Sequence, residues 1–563
     1  MLAAVLLAAC APAAPAAQQR SAASGTAASG EQRSAPKRLV AATAGEPSIP
    51  PAISIPGDDE LRVLVNAGLT VVDNTGSRRP QLAEAVPSID NGLWKLFPDG
   101  RMETRWKIRD GATWHDGIPV TSADFIFTAQ VAQDRELAAF GHDVHSSIDS
   151  VEAPDPRTVV VSWKRPYVDA DGLFSHDLTP PLPSHLLEKP YLEDKSTFTQ
   201  LPFWTDEYVG SGPYQMREWV RGSYLVLGAN DRYVLGRPKI DEIEIRFMTD
   251  ANTLMASILS GAIQTTLGRS LSIEQAAQLR EQWRDGSTNI EFGITAWLVL
   301  IPQFVNPNPP AVANTAFRLA LLHAIDRQEM ADTLNGGLVP VAHSWLSPGQ
   351  PQYRAIEESL PKYEFDPRAA TQAISTLGFT RGPDGMFVDS ADGQRLELEI
   401  RNIGLEISRK SMFAVADYWQ KAGVGVSTVV IPPQRVSDFE YRATFPAFQL
   451  FNQPNDVRGM PNLYSSRARL PSNNFQVPGA GNHTRYMSPE LDGLLDQYYS
   501  TIPRPQRTEA LGRIVRHIAE NLNLMGLFYN GDAEAISNRV TGVTTARAGG
   551  SLSSWNAHEW DMK

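Results

Sequence analysis

The sequence predicts an α/β protein with two or three structural units, and three observations support this. At 563 residues the chain is well beyond the size at which one hydrophobic core keeps growing. Apolar residues make up 42% and charged residues 20%, which is typical of chains that fold into globular units. Segments with strand periodicity alternate with capped helices along the chain, and this mixed order favours α/β lobes.

Three segments show the alternation of half-buried strands. Apolar and charged residues alternate in residues 105–109, 243–247 and 396–400. Because successive side chains of a strand point to opposite faces, this pattern predicts strands with one face in a core.

Helix start and stop signals lie between and after these strands. Residues 121–124 form a capping box that predicts a helix through about Phe140. Asp366, followed by proline, opens a second helix that Gly378 ends, and the Ser-Pro pair at residues 488–489 opens a third. A last long helix carries an apolar stripe of Leu511, Ile514, Val515, Ile518 and Leu522.

The N-terminus carries the only cysteine, Cys10, directly after an apolar run. Residues 7–10 resemble a bacterial lipobox, where a signal peptide is cut and the new N-terminal cysteine carries lipid. A chance cysteine in an alanine-rich segment is the alternative, and no Lys or Arg precedes the run. We therefore predict a signal peptide with lipobox over residues 1–10 and a flexible tether over residues 11–46, rich in Ala, Ser and Gly. No later run reaches the roughly 20 apolar residues that span a bilayer, so lipid is the expected anchor.

Charge and motif content exclude several classes of function. The 51 basic and 63 acidic residues give a net charge of −12 without long blocks of one sign, so no nucleic-acid partner is expected. The chain has no Gly-x-Ser-x-Gly elbow and no P-loop. His142, Asp143 and His145 stand together without a second cluster at ligand spacing, which indicates a solvated loop. We therefore predict no enzymatic activity, no cofactor and no metal site.

Several motifs occur in an order that is typical of one protein family. They are residues 108–117 (Ile-Arg-Asp-Gly-Ala-Thr-Trp-His-Asp-Gly), 210–214 (Gly-Ser-Gly-Pro-Tyr), 324–327 (Ala-Ile-Asp-Arg), 366–367 (Asp-Pro) and 377–379 (Leu-Gly-Phe). From about Pro80 to Trp560 the chain resembles family 5 of the bacterial extracellular solute-binding proteins, which includes the oligopeptide-, dipeptide- and nickel-binding components of ABC importers. Glycine and proline turns dominate these motifs, so His115, Asp116 and residues 210–214 are predicted to be scaffold.

The resemblance implies a two-lobed type II periplasmic-binding fold, with a hinge and a ligand cleft between the lobes. Lobe I is then expected at residues 47–298 and 529–563, and lobe II at residues 299–528. The chain is expected to cross between them near residues 295–301 and 527–532. Such proteins close around a solute that contacts both lobes.

The function that the resemblance implies is that of an extracytoplasmic solute-binding lipoprotein of an ABC transporter. It would capture peptides or similar small solutes and deliver them to a permease, while a separate subunit hydrolyses ATP. Two alternatives remain open: a non-peptide solute such as a metal chelate or sugar, and a binding protein that serves as a sensor input.

Four residues are candidates for ligand contact. Peptide binders of the family pair an aspartate, shortly after a tryptophan, with the peptide α-amine. The corresponding segment lacks the tryptophan, so Asp456 is either that acid, displaced by one or two positions, or a loop residue. Trp297, Phe451 and Tyr529 lie at the expected crossovers or cleft segment, where aromatic faces would pack against a solute. Burial in a lobe core is the alternative for each.

Overall fold

The computed structural model describes residues 36–48, 58–141, 143–403, 406–477, 481–549 and 551–563. Cys10, the predicted signal peptide and most of the predicted tether lie outside the described residues. Within these ranges, every helix is too short or too polar to cross a membrane.

Strands and helices alternate along the described part of the chain, which confirms the α/β prediction. The strands are β1 Arg38–Thr43, β2 Thr70–Val72, β3 Arg78–Pro80, β4 Trp94–Leu96, β5 Met102–Lys107, β6 Ile148–Asp155, β7 Thr158–Trp163, β8 Tyr214–Val220, β9 Tyr224–Ala229, β10 Glu242–Phe247, β11 Thr265–Thr266, β12 Gly286–Pro302, β13 Phe379–Arg381, β14 Phe387–Asp389, β15 Glu397–Asn402, β16 Gly425–Val430, β17 Phe448–Pro454, β18 Met525–Ser537, β19 Val540–Thr541 and β20 Asp561–Met562. The α-helices are α1 Asp58–Val65, α2 Ser122–Gln133, α3 Ser184–Glu193, α4 Ala251–Leu259, α5 Ile273–Gln282, α6 Thr315–His323, α7 Arg327–Asn335, α8 Pro367–Thr376, α9 Glu406–Lys421, α10 Phe439–Ala443, α11 Pro489–Ser500 and α12 Arg504–Asn521.

A ten-stranded sheet runs in the order β16-β15-β17-β12-β18-β11-β1-β10-β9-β8. Strand β1 lies parallel to both of its neighbours and pairs with β10 along its whole length. The predicted tether of residues 11–46 is therefore wrong at its C-terminal end. Leu39, Ala41 and Ala42 are fully buried in this strand, so the segment supplies enough apolar surface to join the sheet.

Strands β12 and β18 form a long antiparallel pair in the middle of this sheet. Residues 286–292 pair with residues 531–537, and Trp297 resumes the pairing opposite Tyr529 after an irregularity in the register. The second half of β12 also pairs with β17 on its other side. The predicted crossover segments, residues 295–301 and 527–532, lie on these two strands.

The register shift divides the sheet into two halves, each of which belongs to one lobe. We call residues 37–292 with 531–563 lobe I, and residues 297–529 lobe II. Lobe I also holds a four-stranded sheet, β4-β5-β7-β6, with its own core around Trp106 and Trp114. The chain passes between the lobes twice, once along β12 and once along β18.

Helix α2 begins as predicted but ends earlier than expected. The Asp124 carboxylate accepts a hydrogen bond from the Thr121 amide at 2.8 Å, as the capping box requires. The helix was predicted to continue to Phe140, and this is wrong, because it stops at Gln133. Asp134 adopts an extended conformation, and its carboxylate accepts hydrogen bonds from the Glu136 amide and the Tyr191 hydroxyl. These bonds stabilise a separate 3-10 turn in place of further α-helix.

The motif at residues 210–214 packs against the end of α1, which supports its predicted scaffold role. A Cβ atom on Gly210 would lie 1.9 Å from the carbonyl oxygen of Val65, so no larger residue fits there. The His115 ring lies across the turn: its Nδ1 accepts from the Gly210 amide at 3.2 Å, and its Nε2 lies 3.1 Å from the Gly212 oxygen. Burial lowers the pKa of His115 to about 4, so the ring stays neutral in this role.

Candidate functional site

A cavity of about 260 Å³ lies between the two lobes. Lobe I lines it with strands β2 and β3, the loop after β7 and the C-terminal segment, and lobe II lines it with the loop after β17 and helices α11 and α12. Its charged lining residues are Arg78, Asp169, Asp171, Asp177, Arg458, Arg504 and Arg507. Both lobes therefore present charges of fixed position to whatever occupies the cavity.

Arg78 organises the lobe I wall. Its guanidinium lies 3.2 Å from an oxygen of Asp177 and 3.4 Å from an oxygen of Asp171. Burial opposes ionisation of Asp177, but the charges of Arg78 and His176 and the hydrogen bonds from Arg78 and Ser175 together outweigh this effect, so the pKa of Asp177 is well below its usual value. Ser175 also donates to Asp177 at 2.5 Å. These groups satisfy one another and form a rigid wall.

Asp169 differs from its neighbours in the same wall. Its carboxylate lines the cavity and makes no hydrogen bond or ion pair with the described residues. Burial raises the pKa of Asp169 to about 6, although Arg78 and Arg507 lower it at longer range. Asp169 is half-buried by solvent exposure. A carboxylate that is partly withdrawn from water without a partner is costly, and a cation placed beside it would reduce that cost.

The lobe II wall presents mainly arginines. Arg458 is held by Asp456, with a nitrogen–oxygen distance of 2.9 Å. Arg507, on α12, donates one side-chain hydrogen bond to the described residues, to the carbonyl oxygen of Ile502 at 3.3 Å, so most of its donors are unused within this part of the chain. Arg504 lies one turn earlier on the same helix and makes no side-chain hydrogen bond with the described residues. This wall therefore offers positive charge and free donors to a ligand.

The lobes touch directly beside the cavity. The Val168 amide of lobe I donates to the Tyr499 carbonyl oxygen of lobe II at 3.0 Å. The rings of Tyr167 and Tyr499 stack with their centroids 5.9 Å apart. On another side, the backbone of Gly549 lies against the Asp456 carboxylate, where an added Cβ atom would come within 2.6 Å of an oxygen. The lobes are therefore in contact on two sides of the cavity.

A second cavity of about 210 Å³ lies within lobe I, behind the loop that carries Asp177 and Leu178. These two residues also line the cavity between the lobes. Its walls include the aromatic rings of Phe140, Trp204 and Tyr208. The interior is therefore mostly apolar, and the shared loop separates it from the charged cavity.

The structure places Trp297 and Tyr529 in the core of lobe II, which is the alternative given for them above. Each is 1% exposed, and their rings stack with centroids 6.5 Å apart. The Tyr529 hydroxyl lies 2.8 Å from the carbonyl oxygens of Ser344 and Leu346. Neither residue lines the cavity between the lobes, because both are covered by neighbouring core side chains.

Phe451 and Asp456 lie outside the cavity lining as well. Phe451 is half-buried, and its ring centroid lies 4.6 Å from that of His483. Asp456 is buried, accepts a hydrogen bond from the Gly459 amide at 3.1 Å and pairs with Arg458. A cap and an ion pair already occupy this carboxylate. Its predicted contact with a peptide amine stays a prediction.

Sequence reasoning did not single out Asp169 or Arg507. Both stand in segments without a motif. Among the described residues neither forms an ion pair, and only the three-dimensional arrangement shows this. His145, predicted to lie in a solvated loop, is instead buried, with Nε2 2.7 Å from the Thr179 hydroxyl. Across the described ranges, no three His, Cys, Asp or Glu side chains are grouped to hold a metal ion.

Two lobes that share a pair of strands and enclose a charged cavity define a ligand-binding protein of the hinged, two-lobed class. Residues 79–471 match the family described as bacterial extracellular solute-binding proteins, family 5. The chain belongs to this family, and the resemblance seen in its motifs is confirmed.

Relatives and solved structures agree with this assignment. The oligopeptide-binding protein AppA of Bacillus subtilis is 23% identical over 520 residues, covering 90% of this chain and 88% of the relative. The oligopeptide-binding protein of Thermus thermophilus, solved with a pentapeptide, superposes with a TM-score of 0.74 at 21% identity, covering 93% of this chain and 96% of that one. NikZ of Campylobacter jejuni, solved with Ni(L-His), gives 0.74 at 22% identity, covering 93% and 99%. The predicted two-lobed type II fold is therefore confirmed.

Proposed function

We propose that this protein is the extracytoplasmic receptor of an ABC importer, which captures a peptide or similar small solute between its lobes and delivers it to a permease. The observation that carries the proposal is the cavity of about 260 Å³, whose walls come from both lobes. A solute in this position contacts both walls, and only such a solute favours the closed state over the open one. The permease and ATPase subunits would recognise the closed form.

The proposed hinge is the stretch where β12 and β18 lose their regular register, between Phe292 and Trp297 on one strand and around Asn530 on the other. Two strands without a rigid ladder allow the lobes to rotate about this point. The boundaries predicted after residues 298 and 528 place the hinge on the same two strands.

Closure is tested by solution scattering and thermal unfolding of the full chain. We expect a casein hydrolysate of di- to pentapeptides to reduce the radius of gyration and raise the melting temperature. A ligand at a hundredfold excess over its dissociation constant stabilises the folded state by roughly 2.7 kcal/mol. The bound peptides are expected back intact after release, because we propose binding without catalysis. A saturating, stabilising ligand that leaves the scattering profile unchanged would refute the hinge, and steady turnover of the peptides would refute binding alone.

A second candidate function is the capture of a metal chelate that carries carboxylate groups. Arg458, Arg504 and Arg507 line one wall, and guanidinium groups bind carboxylates with two hydrogen bonds each. Nickel–histidine complex and maltose therefore serve as parallel probes to the hydrolysate, and stabilisation by only one of the three identifies the class. If none of them stabilises the protein or changes its scattering, the importer proposal loses its support.

We also propose that the protein is tethered to the membrane by lipid on Cys10. The support is the sequence of residues 7–10, Leu-Ala-Ala-Cys, at the end of an apolar run. We expect Cys10→Ser, expressed with the complete N-terminal region, to leave the membrane fraction while its melting temperature stays that of the wild type. Membrane fractionation by ultracentrifugation measures this. Equal partitioning of wild type and variant would show that Cys10 is not the anchor.

A further inference from the structure

We propose that Asp169 and Arg507 bind the two ends of a small zwitterion of the peptide class, with the ligand ammonium group at Asp169 and its carboxylate at Arg507. This assignment rests on the proposed solute-binding function. It names an ammonium site on Asp169 of lobe I rather than on Asp456 of lobe II.

The charged groups of the cavity divide into those that already have partners and those that do not. Arg78 forms ion pairs with Asp171 and Asp177, and Asp177 also accepts a hydrogen bond from Ser175. Arg458 forms an ion pair with Asp456. These paired groups hold the walls in place, since each would lose its partner if it turned toward a ligand. The remaining charges are those of Asp169, Arg504 and Arg507.

Asp169 provides the negative pole of the site. Its carboxylate faces the cavity and lacks a hydrogen-bond partner among the described residues. Burial of this group destabilises its charged form, and the consequence is a pKa raised to about 6. An ammonium group supplies up to three donors and a positive charge, so it provides the hydrogen bonds and the opposite charge that Asp169 lacks among the described residues.

Arg507 provides the positive pole, and it lies in the other lobe. It is close enough to lower the pKa of Asp169 electrostatically, yet the two side chains form no ion pair. The gap between them is part of the cavity. A ligand of one charge would satisfy only one pole, whereas a zwitterion in this gap pairs with both lobes at once.

Two neutral groups are placed to complete the site. The side chains of Tyr498 and Gln352 line the cavity and make no hydrogen bond with the described residues. Burial raises the pKa of Tyr498, so its hydroxyl stays protonated and can both donate and accept. Together these groups offer hydrogen bonds to the peptide units between the two ends of the ligand.

The test measures the binding of trialanine, N-acetyl-trialanine and trialanine amide to the full chain by isothermal titration calorimetry at pH 7. We expect each blocked peptide to bind wild type about 10- to 100-fold more weakly than trialanine, the range for a lost charge-assisted hydrogen bond. Asp169→Asn should lose affinity for trialanine by a similar factor and no longer distinguish it from the acetylated peptide. Arg507→Gln should instead lose the distinction between trialanine and its amide.

Matched surface variants provide the controls. Asp149→Asn changes an exposed aspartate of lobe I, and Arg513→Gln changes an arginine of α12 away from the cavity, so both should bind all three peptides as wild type does. Asp169→Glu, which keeps the charge, should keep the preference for a free amine. This variant replaces Asp169→Asn in the binding test if Asp169→Asn does not fold. Asp456→Asn is the decisive comparison. If Asp456→Asn loses the preference for a free amine while Asp169→Asn retains it, the amine binds at Asp456 and the proposal is overturned.

A pH series separates a charge role from a purely structural one. Trialanine affinity for wild type should fall between pH 7 and pH 5 as Asp169 takes up a proton, and Asp169→Asn should show a flatter profile. The other charged or titratable groups that act on Asp169 are Arg78, Asp171, Asp177, Arg507, Tyr498 and Tyr499.

The outcomes separate this proposal from the importer function. If wild type does not bind trialanine but closes around the hydrolysate, the nickel–histidine complex or maltose, the zwitterion assignment fails and the importer function stands. If no probe binds, both fail. Equal binding of trialanine and its blocked forms by wild type also overturns the assignment.

Discussion

Gly212→Ala is expected to destabilise the protein by about 3 kcal/mol or more, because the new methyl group has no space. A Cβ atom at this position would lie 2.5 Å from the Asn66 nitrogen, 2.5 Å from the Val65 carbonyl carbon and 2.7 Å from the Leu64 oxygen. All three are backbone atoms of α1 and the residue that follows it, so they cannot turn aside as a side chain would. Urea unfolding followed by circular dichroism measures the loss.

Gly493→Ala is the matched control, with an expected effect of opposite sign. Gly493 lies on the exposed face of α11, and a Cβ atom there would have no neighbour within 4 Å. Alanine favours the helix over glycine by up to about 1 kcal/mol, so this variant should be slightly more stable than wild type. If Gly212→Ala costs less than about 1 kcal/mol, the motif at residues 210–214 is not the rigid contact described above.

Glu534→Gln is expected to stabilise the protein at alkaline pH and to have little effect at pH 5. Glu534 lies on β18 beside Glu60 of α1. Burial raises the pKa of Glu60, and the hydrogen bonds that its carboxylate accepts from the amides of Ser553 at 3.2 Å and Ser554 at 2.9 Å partly offset this effect. Glu534 is contacted by the Ser553 hydroxyl, and its Oε2 has no partner among the described residues. Burial, followed by the charge of Glu60, raises the pKa of Glu534 to about 8.

The sign of the pH effect follows from this raised pKa. Folded Glu534 keeps a proton up to about pH 8, whereas the unfolded chain loses it near pH 4.5. The free energy of unfolding of wild type therefore falls as pH rises between these values. The amide of Glu534→Gln does not ionise, so this decrease in stability is absent from the variant. The free energy of unfolding of Glu534→Gln should therefore exceed that of wild type by on the order of 3 kcal/mol at pH 8.5.

Urea unfolding of both proteins at pH 5 and pH 8.5 tests this expectation. Glu281→Gln, which changes an exposed glutamate of α5, is the control and should follow the wild-type pH dependence. A variant at position 534 whose stability changes with pH as much as that of wild type would show that Glu534 is ionised throughout.

Features that depend on neighbouring residues could be predicted from the sequence. The alternation in residues 243–247 marks β10 within one residue, and Asp366 caps α8 by accepting from the amides of Arg368 and Ala369. Motif order also led to the family and its two-lobed fold. In each case the signal lies within a few neighbouring residues.

Features that depend on distant partners were not predicted. Strand β1 lies in an alanine-rich segment and becomes a strand because β10 and β11 are available on both sides. Asp169 and Arg507 approach each other only when the lobes meet, so no spacing in the sequence marks them. Trp297 and Tyr529 were expected near the ligand from their position on the crossovers, but side-chain direction on the strands decides their burial.

The path of the chain through β12 and β18 also sets the order in which the protein is completed during synthesis. Lobe II is one continuous stretch, so all of its helices and strands exist once residue 529 has been made. The first half of β12 can pair only after residues 531–537 have been made, about 250 positions further along the chain. Until they arrive, this half-strand is an unpaired edge, and closing so long a loop is slow. Lobe I, although begun first, is finished last, and until then this edge is open to pairing with another molecule.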